Sequence, residues 1–462
     1  MGELEWERAR LFSVSGIGGA DEQERRASSA VLAVIQSVRE FGRAITAPIG
    51  APSGSLSSFI EVPFEDEEKK LRPDGLIRVV SGQRTWTALV EVKTGRHDLL
   101  PGQIEAYLDL ARRHRFDALL TISNQLVAVP GTHPVTLPKS RGQAVKLHHL
   151  SWSQIRTEAL VEQANKSVSD PDQAWILAEF IRYLEHPRSG AIDFDDMGSS
   201  WVHVRDRARA GTLHPRDKGA AEVADRFGGL ISFVALQLSR DLGTGVRPIV
   251  PQAQLRDPGK YLQEAVSEFT NTGVLQGSVR VPGAVAPIKI TADLRAGLVH
   301  CAVTVPAPSE GRATTRVNWL VRQLKTAPEQ LCIQPSVAWQ RGRGPARTLD
   351  EVRKNPKLLV ADPTHELRSF TVSLSGNAGP ARGQGRGSFV DSVLSAVDKF
   401  YSGVVQHIKP WRPAPPRVRD NEGTAPDEPV SAAEILAGED HRSDDPEQTA
   451  EPSERYAAAA DS

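Results

Sequence analysis

Apolar positions recur at helical spacing over residues 21–44, where Ala27, Val31, Val34, Ile35, Val38 and Phe41 stripe an otherwise charged segment. The pattern predicts an amphipathic helix. A stretch rich in Gly, Pro and Ser at 48–58 interrupts it. Extended segments follow at 59–64, 71–80 and 85–93, the last two joined by a short Ser-Gly-Gln-Arg turn. Pro101 marks a helix start, residues 103–113 read as helix, and apolar strands at 118–123 and 145–150 close the run. Helix, three strands, helix and strand in that order predict an α/β sandwich with a mixed sheet.

From 151 to about 245 the pattern turns helical, most clearly at 175–184 and 220–242, with the acidic loop Asp193, Asp195 and Asp196 between them. From about 260 it changes again. Segments 273–281, 286–294 and 298–305 predict an antiparallel meander, 316–324 a helix, 331–339 a strand and 388–408 a long amphipathic helix, together an α+β domain. Past Pro413 large apolar residues nearly vanish, so 413–462 is expected to be a disordered tail in which only 432–436 could dock on something. The expected division is 1–150, a helical connector at 151–255, the α+β domain at 256–412 and the tail.

Composition narrows the classes. The chain has 462 residues, 39% hydrophobic and 24% charged, which suits a globular protein of two or three domains. No apolar run reaches the length of a membrane span, and the charged N-terminus does not read as a signal peptide, so a cytoplasmic protein without a membrane partner is expected. Two cysteines, Cys301 and Cys332, argue against a disulfide framework and read as small buried hydrophobes. The net charge of −1 conceals a tail with four Arg against thirteen Asp or Glu, which leaves +8 on residues 1–412. A mildly basic body suits a polyanion, and the acidic tail offers a surface for a protein partner.

The chemistry concentrates after Arg72. Asp74 follows Pro73 at a strand start, and Glu91 and Lys93 stand two apart on the next strand, so their side chains leave one face of the sheet. Leu89, Val90 and Val92 around them are apolar, which plants the charged pair on a buried strand. Buried charges cost several kcal/mol unless paired or metal-bound. Hydrolysis of a phosphodiester calls for such a set, because magnesium held by one or two carboxylates neutralises phosphate and acidifies water. The competing structural reading makes Glu91 and Lys93 a salt bridge at a sheet edge.

Pro73-Asp74, the Glu91-Val92-Lys93 triplet seventeen positions after Asp74, and Gln103 with Tyr107 on the following helix resemble the PD-(D/E)XK nuclease superfamily, in particular the RecB-type and lambda-exonuclease-type branch with its Gln-x-x-x-Tyr element. The resemblance covers roughly residues 20–125. It implies a restriction-endonuclease-like fold and a DNA nuclease dependent on Mg2+ or Mn2+, with RNA as the second candidate substrate. It also implies Asp74 and Glu91 as metal ligands and Lys93 as the catalytic lysine. Gln103 and Tyr107, four apart on one helical face, would order the site and contact the DNA backbone. A glutamate on the preceding helix often reaches the metal in this family, and Glu24 is the candidate here, with Glu22 and Glu40 as competitors. DNA repair and anti-phage defence both fit such an enzyme. The alternative from another class is a catalytically inactive nucleic-acid-binding or regulatory protein that uses the nuclease-like fold as a platform.

Other features carry less. The acidic loop at Asp193 reads as a capping and solvated segment, and His148 and His149 as packing residues that cannot share a metal. Trp319 with Arg316, Arg322 and Lys325 reads either as a core aromatic or as an aromatic and basic surface for single strands. Arg341, Arg343, Arg347, Arg382 and Arg386 interleave with Gly in loops that could follow a phosphate backbone or simply be solvated. No phosphate-binding Gly-x-x-x-x-Gly-Lys-Ser/Thr loop, zinc-finger spacing or Gly-x-Ser-x-Gly elbow occurs.

Overall fold

The computed structural model describes residues 9–413 apart from 66–69, 138–144, 166, 339–343, 361, 363 and 384. Helices α1 (Ala20–Ser37) and α2 (Arg39–Thr46) precede strand β1 (Ser55–Ile60). A small ribbon of β2 (Phe64–Glu65) and β3 (Lys70–Leu71) follows, then β4 (Gly75–Ser81), β5 (Arg84–Val92), helix α3 (Pro101–Arg113), β6 (Ala118–Ser123) and β7 (Lys146–Ser151). The first sheet runs β1-β4-β5-β6-β7, antiparallel from β1 to β5 and parallel from β5 to β7. Helix α3 provides the crossover that parallel pairing of β5 with β6 demands. Residues alternate between faces. Ile77, Val79, Val90 and Val92 pack with α1, α2, α4 (Trp152–Ala164) and α5 (Pro171–Leu184), whereas Leu76, Leu89 and Leu119 pack against α3. This is the α/β arrangement with a mixed sheet that the pattern predicts.

Three local expectations need correction. The single helix over 21–44 is two, because Val38 takes an extended conformation and α2 turns back on α1. Gly42 permits that turn, since a Cβ there would lie 2.1 Å from the Ile35 carbonyl oxygen. The strand expected at 59–64 begins earlier, at Ser55, and ends at Ile60. The segment 71–80 is split by Arg72-Pro73-Asp74, so β4 starts only at Gly75. Proline cannot donate to a ladder, which explains the break.

The second half of the described chain builds another layer. Helices α6 (Trp201–Arg209) and α7 (Lys218–Leu242), strand β8 (Arg247–Pro248), helices α8 (Gln252–Arg256) and α9 (Pro258–Thr272), and strands β9 (Val274–Arg280), β10 (Ile288–Asp293) and β11 (Leu298–Pro306) come first. Helix α10 (Ala313–Gln323), strands β12 (Cys332–Val337) and β13 (Arg347–Thr348), helix α11 (Leu349–Lys354), strand β14 (Leu367–Asn377) and helix α12 (Phe389–Gly403) complete it. The sheet order is β13-β12-β14-β11-β10-β9-β8, antiparallel throughout. Its core joins α6, α7, α10 and α12 to the sheet through Trp201, Phe227, Leu320, Phe370 and Phe389. The expected meander β9-β10-β11 is present. The interior strand β14 and helix α9 escape sequence patterning, β14 because Ser and Gly dilute its alternation.

The helices of the expected connector divide between the two cores. α4 and α5 belong to the first and α6 and α7 to the second. Asp193 joins them, accepting from Arg156 of α4 at 2.7 Å and lying 3.3 Å from Arg240 of α7. The described residues up to Arg412 form one compact unit. No helix among the described residues is long and apolar enough to cross a membrane. Cys301 is buried and Cys332 half-buried, both as free thiols. The acidic segment from 414 onward, including 432–436, lies outside the described residues.

Candidate active site

Strand β5 is buried along Leu89, Val90 and Val92, and it carries Glu91 into the interior with 1% of its surface exposed. Antiparallel pairing sets Gly75 opposite Val90. Asp74 therefore comes alongside the end of β5, where its Oδ2 accepts the Val92 N–H at 2.7 Å. Gly75 lets α1 pack close above, since a Cβ there would lie 2.4 Å from Leu32 Cδ1. That closeness brings Glu24 of α1 to the end of β5. Its Oε1 accepts a hydrogen bond from Lys93 Nζ at 2.8 Å, and the two side chains are 17% and 13% exposed. Lys93 Nζ also lies 2.7 Å from Glu91 Oε1.

The backbone of Lys93 is held on both sides. Its N–H donates to the Ile122 carbonyl at 2.7 Å, and its own carbonyl accepts from Trp152 Nε1 at 2.8 Å. On α3, the Tyr107 hydroxyl donates to the Arg72 carbonyl at 3.3 Å, and Gln103 Nε2 lies 3.4 Å from that hydroxyl. These long contacts steady the chain two residues before Asp74. Tyr107 is buried.

Burial first, and then the Asp74 charge beside it, push Glu91 up to about 8, against the opposing pull of Lys93. Burial also raises Asp74 above the usual carboxylate range, although the Val92 N–H and Lys93 counteract it. Lys93 is held well above the usual lysine range, because Glu91 and Glu24 together outweigh the cost of its burial. Tyr107 is pushed up to about 12 by burial and by the charges of Glu91 and Asp74. Despite its closeness to Lys93, Glu91 Oε1 is buried without a well-directed hydrogen bond. Three carboxyls thus share one ammonium, and the cluster has room electrostatically for another positive charge.

Of the residues singled out in the sequence, Asp74, Glu91, Lys93 and Glu24 meet at one place, with Gln103 and Tyr107 supporting it. Glu22 is tied to Arg26 at 2.5 Å and to the Gly18 N–H at 2.7 Å, and no contact places Glu40 at the site among the described residues. Glu24, expected as a third metal ligand, pairs with Lys93, as Glu91 does. Among the described residues no group of three or more Asp, Glu, His or Cys side chains forms a ready ion cage.

The remaining candidates lie elsewhere. Asp193 joins Arg156 to Arg240, and Asp196 pairs with Arg382 at 3.0 Å. His149 Nε2 donates to the Gln125 carbonyl at 2.9 Å and its Nδ1 meets the Thr121 hydroxyl at 3.0 Å. Burial pushes His149 down to about 3, so it serves as a neutral packing residue. Arg316 is buried and bound to Glu366 at 3.0 Å and to the Leu367 carbonyl at 2.9 Å, and Trp319 packs against the second core. The surface suggested for single strands therefore lacks Arg316 as a phosphate contact. Arg386 is exposed and Arg347 half-buried. Arg341 and Arg343 lie outside the described residues.

Sequence reasoning missed Trp152 and Asn124. Asn124 Nδ2 donates to the carbonyls of Gly95 and Gly190, each at 2.8 Å, and its Oδ1 accepts the Ile192 N–H at 2.8 Å. It thereby fastens the turn after Lys93 to a segment nearly a hundred residues later, and no local motif announces such a tie. Neither family models, nor curated protein sequences, nor solved structures give a match to this chain.

Proposed function

We propose that this chain is a metal-dependent nuclease whose first layer is a restriction-endonuclease-like module acting on DNA. The observation that carries the reading is the buried Glu91 and the half-buried Asp74 beside Lys93, with Glu91 Oε1 left without a directed hydrogen bond. The mixed five-stranded sheet, with α1 on one face and α3 on the other, supports the module assignment.

The donor set fits a hard divalent cation. Asp74 and Glu91 supply carboxylate oxygens, and magnesium keeps water and takes substrate phosphate for its other positions. Such an ion, held by Asp74 and Glu91, supplies charge neutralisation at the phosphate and a more acidic water. The chain's own residues do the rest. The Val92 N–H fixes the Asp74 carboxylate, and burial in β5 fixes Glu91. Lys93 stays protonated at neutral pH and so offers a fixed positive charge to a phosphate oxygen. Tyr107 and Gln103 hold the backbone before Asp74 in register.

The test is cleavage of plasmid, single-stranded DNA and RNA by the full chain with Mg2+, Mn2+ or EDTA. Lys93→Ala and Asp74→Ala are each expected to lower the rate about 100-fold or more, on the scale of losing one preorganised electrostatic group. Nucleic-acid binding without cleavage in any metal would favour the platform reading instead.

A further inference from the structure

We infer that Glu24 is a positioning residue that acts through Lys93, and that the Lys93 ammonium is the resident cation of the site until a divalent ion displaces it toward Glu24. This rests on the reading above that Asp74 and Glu91 hold such an ion.

The contacts of Lys93 are unequal. Toward Glu24 it makes a directed hydrogen bond of 2.8 Å. Toward Glu91 it is equally near, at 2.7 Å, but the Glu91 oxygen accepts no well-aligned hydrogen bond. Both carboxyls therefore hold the ammonium, Glu24 through the better-directed bond. Asp74 reaches the same strand end through the Val92 N–H, so Glu91 is the partner that a cation between the two carboxylates would take from the ammonium.

The two carboxylates come from opposite elements, Glu91 from β5 and Glu24 from α1, with the ammonium between them. A divalent ion taken up by Asp74 and Glu91 would stand close to that ammonium and repel it. Lys93 is mostly buried, so it needs a carboxylate to remain charged there. Glu24 is the one already bonded to it. Glu24 thus lowers the cost of admitting the ion without touching it, and Lys93 stays poised at the edge of the site.

A direct ligand and a residue acting through Lys93 make different predictions in a double-mutant cycle. Mn2+ alone serves as probe, with affinity measured by calorimetry on the full chain as wild type, Glu24→Ala, Lys93→Met and the double variant. Glu24→Ala is expected to weaken Mn2+ binding about tenfold, and Lys93→Met to strengthen it or leave it unchanged. In the Lys93→Met background, Glu24→Ala is expected to change the affinity by less than about twofold. Glu24→Gln keeps the shape and one acceptor, and is expected to fall between wild type and Glu24→Ala. Equal weakening by Glu24→Ala in both backgrounds would make Glu24 a direct ligand and overturn the inference while leaving the metal site intact. No effect of Glu24→Ala in the wild-type background would overturn it as well. Absence of Mn2+ binding to the wild-type chain would bring down the inference and the metal-dependent reading together.

Discussion

At the scale of single residues, the site is an imbalance of charge held in place by burial. Asp74, Glu91 and Glu24 share Lys93, and Glu91, at 1% exposure, carries the largest cost of ionising. That cost has a measurable sign. The folded chain keeps the Glu91 proton up to about 8, whereas an unburied glutamate releases it near 4.5. Unfolding therefore releases a proton in this window, and stability falls as pH rises through it. In EDTA, the Tm of wild type is expected to decline more steeply between pH 5 and 8 than that of Glu91→Gln, by a difference worth a few kcal/mol, since each tenfold change in proton affinity is worth about 1.4 kcal/mol. Parallel pH profiles for the two would contradict the buried and shifted Glu91. Much at this scale is legible in the sequence. Proline before Asp74, two charges spaced by one apolar residue, and an apolar strand around them already imply an expensive cluster. The direction of Glu24 is not legible, because Glu22, Glu24 and Glu40 all carry the same carboxylate near the same helical stripe, and only the packing of α1 on Gly75 selects one.

At the scale of elements, the end of β5 is set by partners far away in the chain. Trp152 opens α4, and its indole N–H holds the Lys93 carbonyl. Trp152→Phe keeps an aromatic ring but removes that donor and leaves part of the buried indole volume empty, at a cost of roughly 2–4 kcal/mol in stability. Cleavage is expected to fall by more than this loss accounts for, about tenfold at a temperature where the variant is fully folded, because a shift near 1 Å at a reacting centre can cost up to about 100-fold. Unchanged cleavage in a folded Trp152→Phe protein would show that the strand end does not depend on this bond. Strand and helix types were readable from periodicity over the first 125 residues. Boundaries were not, where a close backbone approach decides them. The reversal at Val38 needs Gly42 against Ile35, and the late start of β4 needs Pro73.

At the scale of the whole molecule, the two sheets are joined by charge as well as by apolar packing. Asp193 lies between Arg156 and Arg240, with Ser153 also donating to it at 2.8 Å. Against the cost of its burial, the two guanidinium groups hold its carboxyl below the usual range. Asp193→Ala would leave the mostly buried Arg240 without its carboxylate, at a cost of about 2–3 kcal/mol, less than for a fully buried pair because Asp193 remains partly exposed. Urea unfolding is expected to show a lower midpoint and a broader or split transition, as the α4 layer loosens from α7. A variant as stable and cooperative as wild type would place the joint in apolar contacts alone.

Taken by itself, the sequence determined the mixed α/β order of the first layer, the burial of Glu91 within an apolar strand and the neighbourhood of Asp74 and Lys93, because these follow from local periodicity and from residues few positions apart. Only the tertiary structure decided that Glu24 is the helix carboxylate at the site, that Trp152 and Asn124 brace the turn after Lys93, and that the middle helices divide between two cores. Those outcomes depend on which surfaces meet after long loops close, and residues distant in sequence carry no local signal of the partner that will satisfy them.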